Sequence, residues 1–300
     1  MASIVLPTLE WTRSCQQLYD QLEPDDEFLL VCDTDADPVA SAALPEGVEL
    51  VLAGEPEGCS GKANAVAAAL ERASQDRIII TDDDVEREGD WLATMKRLGE
   101  EHGAVTAVPV FASEEYPFKL LEPLCLVVGS MVIHRSNWIP WGGGVTFDRR
   151  DVDMEGYVRN LRRTLSDDGL PTMYLHDLES SRELVCEVDV PGDPRTTLER
   201  LTRFVHIFYR FAPRETLGAF AVVLAVLLIG AVFPLAVVVA VTLLAYVSYR
   251  HLGVDRRTWL FAAPSLLLTP LVFLTLARPT FVWAGRRYRW DDTFDVTVLE

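Results

Sequence analysis

Three consecutive carboxylates, Asp82, Asp83 and Asp84, follow directly on the apolar run from Ile78 to Thr81. A short run of this kind is typical of a buried parallel strand, and open α/β sheets bind ligands beyond the carboxyl ends of such strands. Adjacent carboxylates repel one another unless a cation or hydrogen-bond donors neutralise them, and oxygen ligands beside a phosphate suit Mg²⁺ or Mn²⁺. The triplet therefore predicts a divalent-metal site, with an acidic surface turn as the alternative.

A further carboxylate and a lysine stand at comparable places in the chain. The apolar run from Phe28 to Cys32 ends at Asp33, so a second strand also delivers an acid at its carboxyl end. Lys62 lies at the start of the alanine-rich segment 61–71, which strongly favours helix. Free backbone N–H groups and the helix dipole favour an anion at that position. Lys62 is therefore predicted to contact a phosphate, with a solvated surface lysine as the alternative.

The elements that must position these residues follow an alternating order. Strands are predicted at 3–6, 28–32, 48–52, 78–81 and 105–111, and helices at 11–22 and 61–71. This alternation is typical of a doubly wound α/β sheet that binds nucleotides. The apolar stretch 120–133 is too short to cross a bilayer comfortably and is predicted to be buried or interfacial.

Four motifs follow one another along the chain, namely Pro7-Thr-Leu-Glu10, Asp33, Gly61-Lys-Ala-Asn-Ala65 and Thr81-Asp-Asp-Asp-Val85. Their order and spacing resemble those of the nucleotide-sugar half of inverting family 2 glycosyltransferases with the A-type fold. The resemblance implies a nucleotide diphosphate sugar, UDP-linked, as donor. It assigns the base and ribose to Thr8, Glu10 and Asp33, the phosphates to Lys62, and the ribose and metal to Asp82 and Asp84. Asp83 stands where the family is variable, so which two of the three acids bind Mg²⁺ or Mn²⁺ stays open.

Another acidic pair, Asp167 and Asp168, follows Ser166 later in the chain. Taken alone, the pair is explained by the first turn of a helix capped by Ser166. Inverting glycosyl transfer, however, requires a carboxylate that takes the proton from the acceptor hydroxyl while its oxygen attacks the anomeric carbon. The resembled family has an acidic pair here with its second acid as base. The resemblance therefore implies Asp168 as general base and Asp167 as its neighbour.

The segment 196–210 is predicted to be an amphipathic helix at the membrane interface, which is the simplest role for its arginines. Arg200-Leu-Thr-Arg-Phe204 also resembles the (Gln/Arg)-x-x-Arg-Trp motif of membrane glycosyltransferases such as the ceramide glucosyltransferase and cellulose synthase groups. In those groups the motif lines the site, and its second arginine helps to hold the diphosphate. The resemblance thus implies catalytic roles for Arg200 and, above all, Arg203, while Phe204 lacks the indole N–H of the usual tryptophan.

Long apolar segments occupy the last third of the chain. Residues 217–249 are 33 residues without a charged side chain, interrupted by Pro234, which predicts a helical hairpin broken at that proline. A further apolar run follows at 259–277. Basic residues flank this run on both sides, and such flanks indicate the cytoplasmic side. A plain span would place one of the two flanks outside, so this last run is either re-entrant or an exception to the charge rule. The closing Trp283-Ala-Gly-Arg-Arg-Tyr288 resembles the Trp-x-Gly-x-x-Tyr ending of the same membrane transferases, which returns to the catalytic face.

The composition restricts partners and compartment. The formal charge is −18, and only three of the 27 basic residues are lysines. A dense acidic surface is typical of salt-adapted proteins, as in halophilic archaea, and it argues against nucleic acid as a partner. Five scattered cysteines fit a reduced compartment. Because the N-terminus lacks the features of a signal peptide, the first domain is expected in the cytoplasm.

The predicted organisation is a cytoplasmic glycosyltransferase domain (1–196), an interfacial helix (197–215), a membrane domain of two or three hydrophobic segments (216–278) and a tail (279–300). The predicted reaction is metal-dependent, inverting transfer of a hexose to a lipid acceptor at the cell membrane, in glycolipid biosynthesis. Two alternatives remain. One is a polyprenyl-phosphate glycosyl synthase, a group that usually lacks the Arg200-x-x-Arg203 motif. The other is a non-catalytic membrane-anchored binder of sugar nucleotides.

Overall fold

The computed structural model describes residues 1–87 and 89–299 and centres on a seven-stranded β-sheet. Its strands are β1 (Ser3–Pro7), β2 (Glu27–Cys32), β3 (Val48–Leu52), β4 (Arg77–Thr81), β5 (Val105–Ala112), β6 (Gly144–Asp148) and β7 (Glu179–Asp189). Their order is β3-β2-β1-β4-β6-β5-β7, and β6 runs antiparallel to both of its neighbours, whereas the other pairs are parallel. The carboxyl ends of the parallel strands therefore lie at one edge of the sheet.

Helices cover both faces of this sheet. They are α1 (Arg13–Tyr19), α2 (Gly61–Arg72), α3 (Trp91–His102), α4 (Phe118–Leu124), α5 (Met131–Arg135) and α6 (Met154–Leu161). Ile79 of β4 packs in a core with residues of α1 and α3, whereas Ile78 and Ile80 pack in a core with residues of α2 and α6. Because β4 is buried on both faces, its sequence is a continuous apolar run. The predicted doubly wound α/β sheet is confirmed.

Two strands of the sheet, β6 and β7, have no counterpart in the sequence prediction. The second of them, β7, lies at the edge and pairs with β5. Its buried residues Leu184, Cys186 and Val188 alternate with exposed acids such as Glu183 and Glu187. A strand with one solvated face carries half the apolar pattern of a central strand, and the polar first half of β7 hides that pattern further.

Longer helices follow the sheet domain. They are α7 (Pro194–Phe211), α8 (Pro213–Val232), α9 (Pro234–Leu252) and α10 (Ala262–Leu274). Pro194, Pro213 and Pro234 each stand at a helix start, where the missing N–H has no partner to lose. The chain thus breaks between α8 and α9 at the proline that the sequence indicated. In the part of the chain that the structure describes, three segments are long and apolar enough to cross a membrane, namely Pro213–Val232, Pro234–Leu252 and Arg257–Ala277.

The third apolar segment lies against elements that precede it in the chain. Its central helix α10 packs on α4. Near the start of the segment, Thr258 donates a hydrogen bond to Glu122 of α4. Just beyond its end, Arg278 forms an ion pair with Glu199 of α7 at 3.2 Å. Both ends of the segment are therefore held by parts of the protein that lie before the apolar helices.

The segment predicted as a tail contains a second, three-stranded antiparallel sheet. Its strands are β8 (Thr280–Trp283), β9 (Arg286–Asp292) and β10 (Asp295–Val298). Ala284 and Gly285, both with positive φ, connect β8 to β9, a two-residue turn for which glycine is well suited. Phe281, Tyr288 and Trp290 pack with Leu165 of the main domain. The arginines between these aromatic residues mask the strand pattern in the sequence.

Candidate active site

Most of the predicted site residues line one cavity of about 670 Å³ at the sheet edge where β1, β2 and β4 end. They are Thr8, Glu10, Asp33, Lys62, Asp82, Asp84, Asp168, Arg200 and Arg203. The remaining predicted residue, Asp167, is buried and contacts Lys62. Residues of α7 and of the β8–β9 turn complete the lining. The structure thus brings all ten predicted residues to one place.

Lys62 is the cation at the centre of this site. It lies in the first turn of α2, after the N-cap Ser60, and its Nζ is 2.6 Å from Asp82 Oδ1 and 2.8 Å from Asp167 Oδ2. Burial alone would lower the pKa of Lys62, but Asp167, Asp82 and Asp168 together raise it well above its ordinary value. Lys62 is therefore a permanent positive charge that joins two separate segments of the chain.

The three consecutive acids have different surroundings. Asp82 pairs with Lys62, and burial raises its pKa to about 7 against the opposing effect of Lys62, with a further rise from Asp84. Asp83 accepts a hydrogen bond from Thr8 Oγ1 at 2.6 Å, and burial raises its pKa as well. Asp84 is exposed and lines the cavity. Asp82 and Asp84 are thus the two acids of the triplet that Thr8 leaves available to a ligand.

The donor set at this edge fits a metal that shares its ligands with a diphosphate. Among residues 1–87 and 89–299, no group of three His, Cys, Asp or Glu side chains has an arrangement suited to a metal ion. Mg²⁺ commonly binds through one or two carboxylates together with phosphate oxygens and water. Asp82 and Asp84 supply two such carboxylates beside the cavity.

Asp168 reaches the cavity from the loop that follows α6. Gly142 N donates to Asp168 Oδ1 at 2.7 Å. A Cβ atom at Gly142 would lie 2.6 Å from that oxygen, so the carboxylate can approach only because residue 142 is glycine. Burial raises the pKa of the neighbouring Asp167, and Lys62 opposes that rise.

The helix-cap alternative for this segment accounts for Ser166 alone. Its Oγ accepts the N–H of Gly169 at 2.8 Å and so caps the turn. Asp167 points to Lys62 and Asp168 to Gly142, so the two acids are engaged elsewhere. The turn therefore supplies the backbone that presents both carboxylates.

Two arginines of α7 reach the same cavity. The Arg203 guanidinium stacks over the Trp283 ring at 4.3 Å, and that of Arg200 lies 6.0 Å from the Phe111 ring centre. Burial lowers the pKa of Arg203 against the effect of Asp168, and burial together with Arg203 lowers the pKa of Arg200 to about 10. Both are cations, because the guanidinium of arginine is not deprotonated in proteins. In the described part of the chain, the Nε atom of each is buried without a hydrogen-bond partner, which favours an anionic ligand.

The C-terminal sheet contributes residues that the sequence prediction did not assign to the site. Arg286 of β9 donates to Asp33 Oδ2 at 2.5 Å and to Glu55 Oε2 at 2.7 Å. Gly61 N donates to Tyr288 Oη at 3.3 Å, which fixes β9 to the start of α2. Burial would lower the pKa of Arg286, but Asp33 raises it overall. The Trp-x-Gly-x-x-Tyr motif could have identified both residues, since Arg286 and Tyr288 lie within it.

The cavity continues into an apolar passage. Beyond Asp168 and Arg203, its lining includes Leu124, Val128, Val132, Phe208, Val222, Val223, Val272 and Phe273. The last four belong to α8 and α10, which lie in two of the segments able to cross a membrane. A polar centre that opens between such helices suits a ligand with a polar head and a hydrocarbon chain.

Comparisons with known proteins identify the family. The family model described as Glycosyl transferase family 21 matches residues 36–293. A mannosyltransferase from Pyrobaculum calidifontis, solved with GDP-Man and Mn2+, is 19% identical over 91% of this chain and 86% of its own, with a TM-score of 0.48. Glucosyl-3-phosphoglycerate synthase from Mycobacterium tuberculosis, solved with phosphoglyceric acid, is 15% identical over 69% of this chain and 79% of its own, with a TM-score of 0.39. No curated protein matches the chain.

Proposed function

Because the chain belongs to glycosyl transferase family 21, it is a glycosyltransferase, and we propose that it moves a sugar, with inversion, from a nucleotide diphosphate sugar to a membrane lipid. The observation that supports this most is the cavity that connects Lys62, Asp82 and Asp168 with an apolar passage between helices able to enter a membrane. The proposed donor is a UDP-linked hexose. The proposed product is a glycolipid, as in the ceramide glucosyltransferase-like group.

The donor occupies the edge formed by β1, β2 and β4. Thr8, Glu10 and Asp33 hold the base and ribose, and Lys62 approaches the phosphates from the first turn of α2. Asp82 and Asp84 would hold Mg²⁺ or Mn²⁺, which would balance the charge of the leaving diphosphate. This assignment is supported by the cavity that these residues share and by Asp83, whose hydrogen bond with Thr8 leaves the other two acids for the metal.

Asp168 acts as the general base on the acceptor hydroxyl. Its Oδ1 is held by Gly142 N, so Oδ2 is the oxygen that takes the proton. As the acceptor oxygen forms its bond to the anomeric carbon, the bond from that carbon to the diphosphate oxygen breaks and the hydroxyl proton passes to Asp168. Attack from the face opposite the leaving group inverts the anomeric centre. Asp167 contributes by holding Lys62.

Arg203 and Arg200 stabilise the negative charge that develops on the diphosphate. Both are cations at the cavity wall with a buried Nε that lacks a hydrogen-bond partner in the described residues. A fixed positive charge in a water-poor site stabilises a leaving anion far more than one in bulk water. Stacking on Trp283 holds the Arg203 guanidinium in place without cancelling its charge.

The acceptor lipid enters along the passage between α7, α8 and α10, and the catalytic domain faces the cytoplasm. The domain layout that we propose is 1–196, 197–215, 216–278 and 279–300. Because both ends of the segment Arg257–Ala277 contact earlier elements, we favour a re-entrant course for it, which keeps its basic flanks on one side.

The acidic, lysine-poor surface supports a salt-adapted, halophilic source.

The test is transfer by membranes that contain the full-length protein, incubated with a panel of labelled UDP- and GDP-sugars. Label should enter the lipid fraction with one donor, cease to do so in excess chelator and resume with Mn²⁺ or Mg²⁺. Transfer to polyprenyl phosphate alone would favour the synthase alternative. Nucleotide binding without transfer to any membrane lipid extract would favour the non-catalytic binder and refute the proposal.

A further inference from the structure

Arg87 is a buried arginine next to the acidic loop 82–85, and the scheme above gives it no role. Its side chain is 2% exposed. Its guanidinium donates to the Val85 carbonyl at 2.9 Å, to Thr81 Oγ1 at 2.5 Å and to the Asp82 carbonyl. Burial lowers the pKa of Arg87 to about 10 while Asp82 opposes the change, so the group is charged at neutral pH. A charge is costly to bury unless such hydrogen bonds compensate it.

A chain of hydrogen bonds leads from Arg87 to the other half of the site. Thr81 Oγ1 accepts from Arg87 and donates to the Gly143 carbonyl at 2.8 Å. The preceding residue, Gly142, donates its N–H to Asp168 Oδ1 at 2.7 Å. One guanidinium therefore contacts the acidic loop directly and, through Thr81, the glycine segment that holds Asp168.

We propose that Arg87 is a positioning residue that sets the location of Asp168 relative to the carboxylates of the acidic loop. The inference rests on the proposed roles of Asp168 and Asp82. Arginine suits this task because its planar guanidinium has five donors in fixed directions, whereas the ammonium of lysine keeps the charge but not the fork. A displacement of about 1 Å between reacting groups can lower a rate roughly 10²-fold. The geometry of these hydrogen bonds between Arg87 and Asp168 should therefore affect turnover.

The test compares Arg87→Lys, Thr81→Val and a matched control, Arg77→Lys, in the full-length protein. Arg77 lies at the opposite end of β4 and donates to the Gly103 carbonyl at 2.7 Å. Two quantities are measured, the transfer rate per folded molecule at saturating donor and the Kd of UDP with Mn²⁺. We expect Arg87→Lys and Thr81→Val each to lower the rate about tenfold or more. The Kd should stay within about threefold, and Arg77→Lys should change neither quantity.

The double variant Arg87→Lys/Thr81→Val provides the second readout. Because both changes interrupt the same series of hydrogen bonds, the double variant should be no slower than the slower single variant. Wild-type rates in both single variants overturn the inference, and so do parallel losses of rate and UDP affinity, which indicate a merely structural role. If Arg87→Lys does not fold, Thr81→Val alone decides. A wild-type protein that neither binds UDP or GDP with Mn²⁺ nor transfers sugar refutes the proposed function itself, and the inference falls with it.

Discussion

Lys62 joins acids from the two halves of the site, Asp82 after β4 and Asp167 after α6. With Arg200 and Arg203 it faces four carboxylates, namely Asp82, Asp84, Asp167 and Asp168. Acids outnumber cations in the cavity lining as a whole, so a diphosphate would need additional positive charge to enter. In the proposed function a divalent metal would supply that charge, which would explain why a basic helix start and an acidic triplet occur in one site.

At the residue scale, Asp168→Asn separates an enzyme from a binder. The amide keeps the size of the side chain and can still accept from Gly142 N, but it cannot take the acceptor proton. Transfer should fall by roughly 10²-fold or more, with nearly unchanged affinity for the donor. Rates and donor affinities of the purified variant provide the measurement.

The control for that variant is Asp151→Asn, an exposed acid that does not line the cavity and should leave both quantities unchanged. Weakened donor binding with an intact rate at saturation would make Asp168 a donor ligand. An unaffected Asp168→Asn enzyme would remove the residue from the mechanism.

Asp82 predicts a pH dependence with opposite signs for binding and for stability. Burial raises the pKa of Asp82 to about 7, so the acid must lose a proton near neutral pH before it can bind a metal. The affinity for UDP with Mn²⁺ should therefore rise between about pH 6 and pH 8, with proton release on binding. Between the ordinary pKa of 3.8 and about 7, the folded, ligand-free protein binds more protons than the unfolded chain. The free energy of unfolding should therefore fall as pH rises through this range.

Calorimetric titrations in buffers of different ionisation enthalpy and unfolding by denaturant measure these two trends. Asp82→Asn should reduce both, since the amide does not titrate. A wild-type UDP affinity that is flat across this range would contradict the assignment of Asp82 as a metal ligand.

At the element scale, the parts of the fold with local sequence patterns could be predicted. β4 is a continuous apolar run, α2 is rich in alanine, and Pro234 marks the break of the hairpin. The pairs Lys62–Asp167 and Arg286–Asp33 join segments far apart in the chain. A single sequence holds no local trace of such contacts. Lys62, Asp167 and Asp33 could therefore be predicted as site residues but their partners could not, and Arg286 was not assigned to the site.

The junction between α4 and the apolar helices depends on one buried acid. Glu122 is fully buried and accepts from Arg256 Nε at 3.0 Å, from Tyr249 Oη at 3.2 Å and from Thr258. Three donors from the end of α9 and the following turn therefore converge on a carboxylate of the sheet domain. This cluster fixes the orientation of the apolar helices relative to the sheet.

Glu122→Ala should lower the free energy of unfolding by about 3–5 kcal/mol, because it leaves Arg256 without its buried partner. Thermal unfolding in detergent measures the loss. Glu114→Gln is the matched control, since Glu114 pairs with the same arginine from a side chain that is 74% exposed, and it should have little effect. Similar losses in the two variants would show that the buried position of Glu122 has no special importance.

At the scale of the whole molecule, the chain leaves the sheet domain through α7, forms the apolar helices and returns as the C-terminal sheet. Arg286 then contacts Asp33, and Tyr288 contacts Gly61. Both ends of the sequence therefore line the side of the cavity proposed for the donor. The motif at 283–288 indicated this return, but the sequence did not indicate that a folded sheet carries it.

This arrangement predicts that two soluble fragments will bind nucleotide differently. One ends at residue 212, and the other replaces 213–278 with a flexible Gly/Ser linker so that 279–299 is retained. The linked fragment should bind UDP with Mn²⁺ nearly as tightly as the full-length protein. The shorter one should bind about tenfold more weakly or worse, because Asp33 and the start of α2 lose the partners that hold them in place. Arg286→Ala in the linked fragment should move its affinity toward that of the shorter one.

Neither fragment should transfer sugar to lipid, since α8 and α10 form the apolar passage. Equal UDP affinities for the two fragments would exclude the C-terminal sheet from the donor site. The last third of the chain would then contribute to function through its apolar helices alone.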